Sequence, residues 1–142
     1  MAAPTFVACS TTANWTATAS LSAQLPAGLN EDDLLLLPIA ARLAAMTINL
    51  TSGYTLKSTD NATTTNLTTE IQAKIAGASE SAPTVTTSAT TPQPAGAILI
   101  AVRGWSGDLA DLVVPTHDSG ASQLPLAPAG TAPVDEIGRA HV

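Results

Sequence analysis

"EDDLLLLPIAARLAA", residues 31–45, is the stretch that decides the fold of this chain. Acidic residues before four leucines look like the start of a capped helix, but Pro38 would break that helix within two turns, because proline lacks an amide hydrogen and clashes with the preceding turn. As a strand, residues 34–37 form a short apolar run bounded by turn residues, which is typical of a buried strand in the middle of a sandwich. We therefore predict a central strand, with a bulge or a missing ladder hydrogen bond at Pro38.

Other segments also favour strands. "NWTATASL" (14–21) alternates apolar with polar residues, which predicts a strand with one buried face. "GAILIAVRGW" (96–105) is a continuous apolar strand, and "TVTTSAT" is a polar one. "SGYTLK" (52–57) predicts a turn and a short strand, followed by a hairpin loop at Asp60-Asn61. Ten prolines and nine glycines at short intervals suit many short strands.

Two segments are ambiguous. "NLTTEIQAKIAG" (66–77) fits a helix carrying a Glu70–Lys74 pair, and it alternates equally well as a strand. "ARLAAMTINL" is rich in alanine, a good helix former, and we predict a loop or short turn that leads into Ile48.

Composition limits both the fold and the function. The 142 residues fit one domain. Only 3% are aromatic and 11% charged, against about 25% charged in average proteins. The core must therefore consist of Leu, Ile, Val and Ala, under a surface of Thr, Ser, Asn and Gln. A net charge of −6, with the five basic residues scattered, argues against nucleic acid as a partner.

The single cysteine and the apolar segments exclude further classes of site. Cys9 has no partner for an internal disulfide, and we predict a small buried apolar side chain there rather than a nucleophile. We find neither a signal peptide nor a run of about 20 apolar residues, so we expect a protein made in a cytoplasm, without a membrane partner.

Acidic residues in turns are the candidate metal ligands. They are Asp32, Asp33, Asp108, Asp111 and Asp118. Carboxylates in loops can bind Ca²⁺, but the spacing of an EF-hand loop is absent, and turn aspartates usually cap local backbone. We therefore predict no metal ligands and no cofactor.

Catalysis has one weak candidate. His117 lies beside Asp118 and Ser119, but a catalytic triad is assembled in space and not by adjacent residues in one loop. The nucleophile motif G-x-S-x-G is absent. We predict no catalytic residues and no enzymatic activity.

The sequence gives only weak evidence for glycan attachment or glycan binding. N-x-[ST] matches occur at Asn14, Asn49, Asn61 and Asn66, and in a chain so rich in threonine we interpret them as chance. Trp15 and Trp105 could form a sugar-stacking platform, although their positions suit core and core-edge roles at least as well.

Four segments in order resemble a known domain. They are "LPAGLNEDDLLLLPIAA" (25–41), "SGYTLK" (52–57), "EIQAKIAGASESAPTVTTS" (70–88) and "AGAILIAVRGW" (95–105). The corresponding motifs are P-x-G-x-x-x-G-D-L-L-L, G-W-T-L, Y-K-x-A-x-x-S-E-P and A-x-x-L-x-A-Y-R-G. Together, over about residues 15–106, they resemble a β-sandwich domain that recurs in structural proteins of tailed phages and in some bacterial surface proteins. This chain departs from the motifs at residues 31–33, at Tyr54 and at residues 101–102.

The resemblance implies an all-β antiparallel sandwich of roughly eight strands, immunoglobulin-like or jelly-roll-like, over residues 1–135. It also implies that residues 66–77 form a strand. The implied function is that of a virion protein, either a capsid decoration or head-fibre protein or a tail-associated one. Such a protein is made in the bacterial host cytoplasm and docks on the major capsid protein or another virion protein as a symmetric homo-oligomer. The alternative is a carbohydrate-binding or adhesive module with a cell-surface glycan as its partner.

The last seven residues differ from the rest of the chain. "EIGRAHV" (136–142) lacks Thr and Ser and matches what a common sequencing adapter encodes when it is read in frame. We expect a non-native tail here, on a reading frame that is truncated before further C-terminal strands, and we exclude it from the fold prediction.

Overall fold

The computed structural model describes residues 3–11, 13–15, 20–42, 47–62, 67–88 and 94–114. This part of the chain is almost entirely antiparallel β-structure, with nine strands and one short 3₁₀ helix. The strands are β1 Thr5–Cys9, β2 Ala13–Trp15, β3 Ser20–Ser22, β4 Leu34–Arg42, β5 Thr55–Ala62, β6 Leu67–Ile75, β7 Thr84–Thr86, β8 Ala95–Ala97 and β9 Ile100–Arg103; the 3₁₀ helix is Leu109–Asp111.

The large sheet has the strand order β1-β9-β4-β6-β5, with β8 pairing both β4 and β2. Leu36 lies opposite Ile100 and Ile39 lies opposite Ala97, so β8 and β9 pair with β4 in one continuous register. These two short strands are therefore one row of the sheet, interrupted at residues 98–99. Beside them, β1 pairs with β9 and β2 pairs with β8, so the sheet has five rows.

A small second sheet covers one face of the large one. In it, β3 pairs antiparallel with β7, and an isolated bridge joins Ile48 to Thr87. The Asn49 amide donates to the Thr86 carbonyl at 2.9 Å, which makes residues 47–49 a third row. The predicted all-β antiparallel sandwich is confirmed.

The core lies between the two sheets. Alternate residues of β4 point into it, because successive side chains of a strand face opposite sides. The buried cluster comprises Ala23, Leu35, Leu37, Ile39, Ala41, Ile48, Tyr54, Ala76, Val85, Ala97, Leu99 and Ala101. As the low aromatic content predicts, aliphatic side chains fill nearly all of it.

The prediction of a central strand at residues 34–37 is confirmed, and β4 continues as far as Arg42. Pro38 lies opposite Ile71 of β6 without a shift in register, so β4 has no bulge towards β6. The carbonyl of Pro38 accepts from the Ile98 amide at 3.3 Å, so the backbone of Pro38 faces the row of β8 and β9. The missing proline amide therefore lies opposite the interruption in that row, which accounts for the missing ladder hydrogen bond.

Several predicted boundaries are wrong. The alternating segment 14–21 is not one strand, because β2 belongs to the large sheet and β3 to the small one. Residues 96–105 form two short strands instead of one, for the reason given above. Residues 41–42, the start of a segment predicted as a loop or short turn, extend β4, and no strand is predicted at β1.

The hairpin of β5 and β6 also differs from its prediction. Asp60-Asn61 lies within β5 and not in a loop, since the strands stay paired as far as Ala62 opposite Leu67. The strand interpretation of residues 66–77 is confirmed for Leu67–Ile75, and the helical alternative is wrong. The suspected tail, residues 136–142, lies outside the described residues.

Replacing Leu37 by alanine tests the central position of β4. Leu37 is fully buried, so Leu37→Ala should lower the free energy of unfolding by about 2–5 kcal/mol through lost burial and the cavity that remains. Leu56→Ala is the control, because that side chain is 45% exposed, and its cost should be below about 1 kcal/mol. Urea unfolding followed by circular dichroism measures both. Equal losses for the two variants would contradict this assignment of the core.

Candidate functional site: the outer face of the large sheet

Strand β6 turns its polar side chains inward. Thr68, Glu70, Gln72 and Lys74 lie opposite the core-facing residues of β4, whereas Thr69, Ile71, Ala73 and Ile75 share the other face. A two-layer sandwich normally places its apolar residues inward and its polar residues towards water. The reversed order in β6 indicates that the other side of the large sheet is also built for contact.

Gln72 forms hydrogen bonds on the polar, core-facing side of β6. Its side-chain oxygen accepts from the Thr51 amide at 3.0 Å, and its nitrogen donates to the Asn49 carbonyl at 3.3 Å and to a Glu70 oxygen at 3.0 Å. Burial raises the pKa of Glu70, and the hydrogen bond from Gln72 opposes that rise. These contacts tether residues 49–51 to the sheet.

Lys74 completes this polar layer. Its ammonium group lies 2.9 Å from a Glu80 oxygen and 5.8 Å from the centre of the Tyr54 ring. Burial opposes ionisation of Glu80, but hydrogen bonds from the Gly77 amide and Lys74 outweigh it, so its pKa falls below the usual range. Burial, assisted by Glu80, raises the pKa of Tyr54. Glu70, Gln72 and Lys74 therefore each have a side-chain partner.

The outer face of the large sheet is the side directed away from the small sheet. Residues opposite one another in an antiparallel pair share a face. Starting from the Leu34 end of β4, the outer face carries four cross-strand lines: Phe6, Val102, Leu34 and Ile75; Cys9, Ile100, Leu36 and Ala73; Ile98, Pro38, Ile71 and Ser58; Gly96, Ala40, Thr69 and Asp60. The first three lines are almost wholly apolar.

One corner of the outer face is buried. Leu34 and Ala73 are 2% and 0% exposed although they lie outside the core between the sheets. The 3₁₀ helix that follows β9 lies against β6. This helix is capped by Asp108, whose carboxylate accepts from the Ala110 amide at 3.0 Å. The segment after β9 therefore returns to the large sheet beside β6.

The rest of the outer face holds a shallow groove of about 390 Å³. Pro38, Ile39, Ala40, Thr69, Glu70, Ile71, Gly96, Ala97 and Ile98 line it. Small residues form its floor, because Gly96 lies opposite Ala40 at its centre. By register, Asp60 and Arg42 are the charged residues of the described strands at this end of the face. Apart from Thr69 and Glu70, the residues that line the groove are apolar or glycine.

Asp33, a predicted turn residue, forms an ion pair. Arg103 donates to both of its carboxylate oxygens, at 2.9 and 2.8 Å, and to the Gly28 carbonyl at 2.9 Å. The hydrogen bond from Arg103, aided by the Asn30 amide, lowers the pKa of Asp33 against the effect of burial. The ion pair joins the start of β4 to the end of β9. It explains the burial of the Asp33 carboxylate without invoking a metal ion.

The other acidic candidates do not converge on a site. Asp32 is an exposed turn residue with a φ of 65°, Asp108 caps the 3₁₀ helix, and Asp111 is exposed within it. Within the described ranges no group of three or more His, Cys, Asp or Glu side chains could hold a metal ion. Asp118, His117 and Ser119 lie outside the described residues.

The remaining sequence candidates are dispersed. Asn49 is exposed and donates to the Thr86 hydroxyl at 2.9 Å; Asn14 and Asn61 lie in strands, and Asn66 is outside the described residues. Trp15 lies in β2, far along the sheet from half-buried Trp105, whose indole nitrogen is buried without a partner.

The prediction for Cys9 is wrong. Its side chain is exposed and not buried, because β1 is an edge strand and Cys9 lies on its outer side, opposite Ile100. A bulge between Phe6 and Ala8 shifts the register by one residue. That shift keeps Phe6 and Cys9, three residues apart, on the same face of the sheet.

Sequence reasoning missed the outer face, although two signals were present. In "EIQAKI" (70–75), polar and apolar residues alternate, so either set could face the core of a strand-based fold. Only the structure shows which set does. The second signal is that β4 carries apolar residues on both of its faces. A strand of this kind is normally packed on both sides.

No protein-family model matches this chain, and no curated protein or solved structure matches it either. Among the described residues, no helix has the length and apolar character needed to cross a membrane.

Glu70→Gln tests the buried carboxyl. Because burial raises its pKa in the folded state, stability falls as the pH rises above the ordinary value of about 4.3, where the unfolded chain ionises first. Glu70→Gln should therefore raise the urea midpoint at pH 7 and leave it unchanged near pH 3.5. An unchanged midpoint at both pH values would contradict the assignment.

Asp33→Asn should have the opposite pH dependence. The pKa of Asp33 is depressed in the folded state, so its contribution to stability is present above the ordinary value of about 3.9 and is lost as the pH falls through the lower folded value. The variant should have a lower urea midpoint than the native chain at pH 7, and the difference should shrink towards pH 2. A difference that stays constant with pH would show that the ion pair is not responsible.

Proposed function

We propose that this chain is a structural virion protein of a tailed phage, a capsid decoration or head-fibre protein that docks on the particle through the Phe6 end of its outer face. The assignment to the virion rests on the resemblance of residues 15–106 to a domain of tailed-phage structural proteins, and the docking surface rests on the position of Phe6. It is the only phenylalanine of the chain, yet it is 67% exposed on an edge strand. A folded protein with so few aromatic residues normally buries them.

The surroundings of Phe6 suit a protein partner. Half-buried Val102 lies opposite it, and Ile100 follows in the next cross-strand line beside Cys9. An exposed aromatic side chain in an apolar setting is typical of an anchor that fills a pocket of its partner. The major capsid protein, or another virion protein, arranged as a symmetric array, would supply such a pocket once per copy.

Composition and site chemistry support the same proposal. The surface depends mainly on uncharged Thr and Ser, and the charged side chains of Lys74 and Glu80, and of Arg103 and Asp33, pair with one another. An adhesive module would need an exposed aromatic platform. Of the aromatic side chains described, Tyr54 is buried and Trp105 is half-buried, which leaves Phe6 without a second ring.

Phe6→Asp tests the docking surface. A phage that lacks this gene is complemented with the native chain or with the variant, and the purified virions are quantified by mass spectrometry. Loss of an anchor costs at least about 2 kcal/mol, so incorporation of Phe6→Asp should fall roughly thirtyfold at limiting protein. The variant should fold normally, since the side chain is exposed.

Leu50→Asp is the matched control, because Leu50 is also exposed, at 59%, but lies outside β1 and the outer face. It should be incorporated like the native chain. Absence of the native protein from virions would overturn the assignment to the particle, and normal incorporation of Phe6→Asp would overturn the docking surface alone.

A further inference from the structure

Strand β5 is an edge of the large sheet. The strand order β1-β9-β4-β6-β5 gives it one neighbour, and no strand of the described residues pairs with its other side. It has eight residues, against five in β1 at the opposite edge. An edge strand presents a row of backbone amides and carbonyls that can pair with another chain. A strand of this length therefore offers a template for one more row.

The backbone of Thr59 faces this open side. In an antiparallel ladder, successive residues direct their backbone groups alternately to one neighbour and to the other. The Ala76 amide donates to the Asp33 carbonyl at 2.8 Å, so the even-numbered residues of β6 bond towards β4 and the odd-numbered residues towards β5. Ser58 and Asp60 lie opposite odd-numbered residues of β6, so Thr59 between them points outward.

The two charged residues of β5 have opposite signs. Lys57 and Asp60 are half-buried, and neither takes part in an ion pair within the described ranges. Charges of one sign on an edge strand discourage pairing between copies, because like charges then meet across the ladder. A lysine and an aspartate near the middle of the same edge have the opposite effect, since each meets its complement in an antiparallel second copy.

Symmetry selects the register of such a pair. In a twofold contact within one sheet, each residue meets a residue of the other copy that lies on the same face. Centring the contact on Thr59 places Asp60 of each copy opposite Ser58 of the other. Lys57 is the extra residue of a bulge and adjoins Ser58, so its flexible side chain can reach Asp60 of the other copy. A register centred on Asp60 would instead oppose two carboxylates.

We propose that a second copy of this chain pairs its β5 with the β5 of the first, antiparallel and centred on Thr59, so that the two large sheets form one continuous sheet. The contact is isologous and closes at two copies. Exposed ion pairs add little affinity, so the backbone hydrogen bonds hold the dimer and the charges set its register. Because β1 lies at the other edge, this inference does not rest on docking through Phe6.

Charge reversal tests the register by analytical ultracentrifugation of the full chain at physiological salt. The native chain should show a monomer–dimer equilibrium. Lys57→Asp and Asp60→Lys each bring like charges together and should raise the dissociation constant about tenfold. The variant that carries both changes should return to within about threefold of the native value. A general repulsion between two chains of net charge −6 predicts the opposite for Asp60→Lys, which makes the chain less negative.

Thr59→Pro tests the backbone pairing. Proline removes the amide that faces the open side and leaves the ladder with β6 in place, so the dimer should be lost while the circular dichroism spectrum stays native. Thr59→Ala is the matched control, because it keeps the amide, and it should dimerise like the native chain. A native chain that stays monomeric at roughly 1 mM, or a dimer that persists in Thr59→Pro, would overturn the proposal. Failure of the double charge reversal to recover would overturn the register.

Discussion

The structure depends on β4 being apolar on both of its faces. One face packs into the core between the two sheets, and the other must be shielded by whatever lies on the outer side. A strand of this kind cannot sit at the edge of a sheet or under a single layer. It therefore places two rows of the sheet on one side of itself and two on the other.

The sequence predicted the central strand and the fold class because Pro38 excluded a helix and because turn residues bounded the leucines. It could not predict which alternate set of β6 faces inward. Glu70, Gln72 and Lys74 look like surface residues, and they are tolerated inside because Gln72 finds the backbone of residues 49–51 and Lys74 finds Glu80. Such partners come from distant segments, so no local pattern reveals them.

The candidate site was less predictable than the fold. The acidic residues drew attention as metal ligands, yet Asp33 is committed to Arg103, about seventy positions away along the chain. Conversely, Phe6 and Cys9 stand in a segment whose sequence gave no strand signal, and a bulge sets their shared face. The first outcome depends on a contact between residues that are distant in sequence, and the second depends on a register shift of one residue. The spacing of residues along the sequence reveals neither of them.

The exposed thiol of Cys9 gives this protein a built-in attachment point. Because it is the only cysteine of the chain and projects from the outer face beside Ile100, a single environment-sensitive dye could be coupled there without any mutation. Its emission would shift when apolar material replaces water around it. The assembly of this face with any companion could then be followed in real time in an otherwise unmodified molecule.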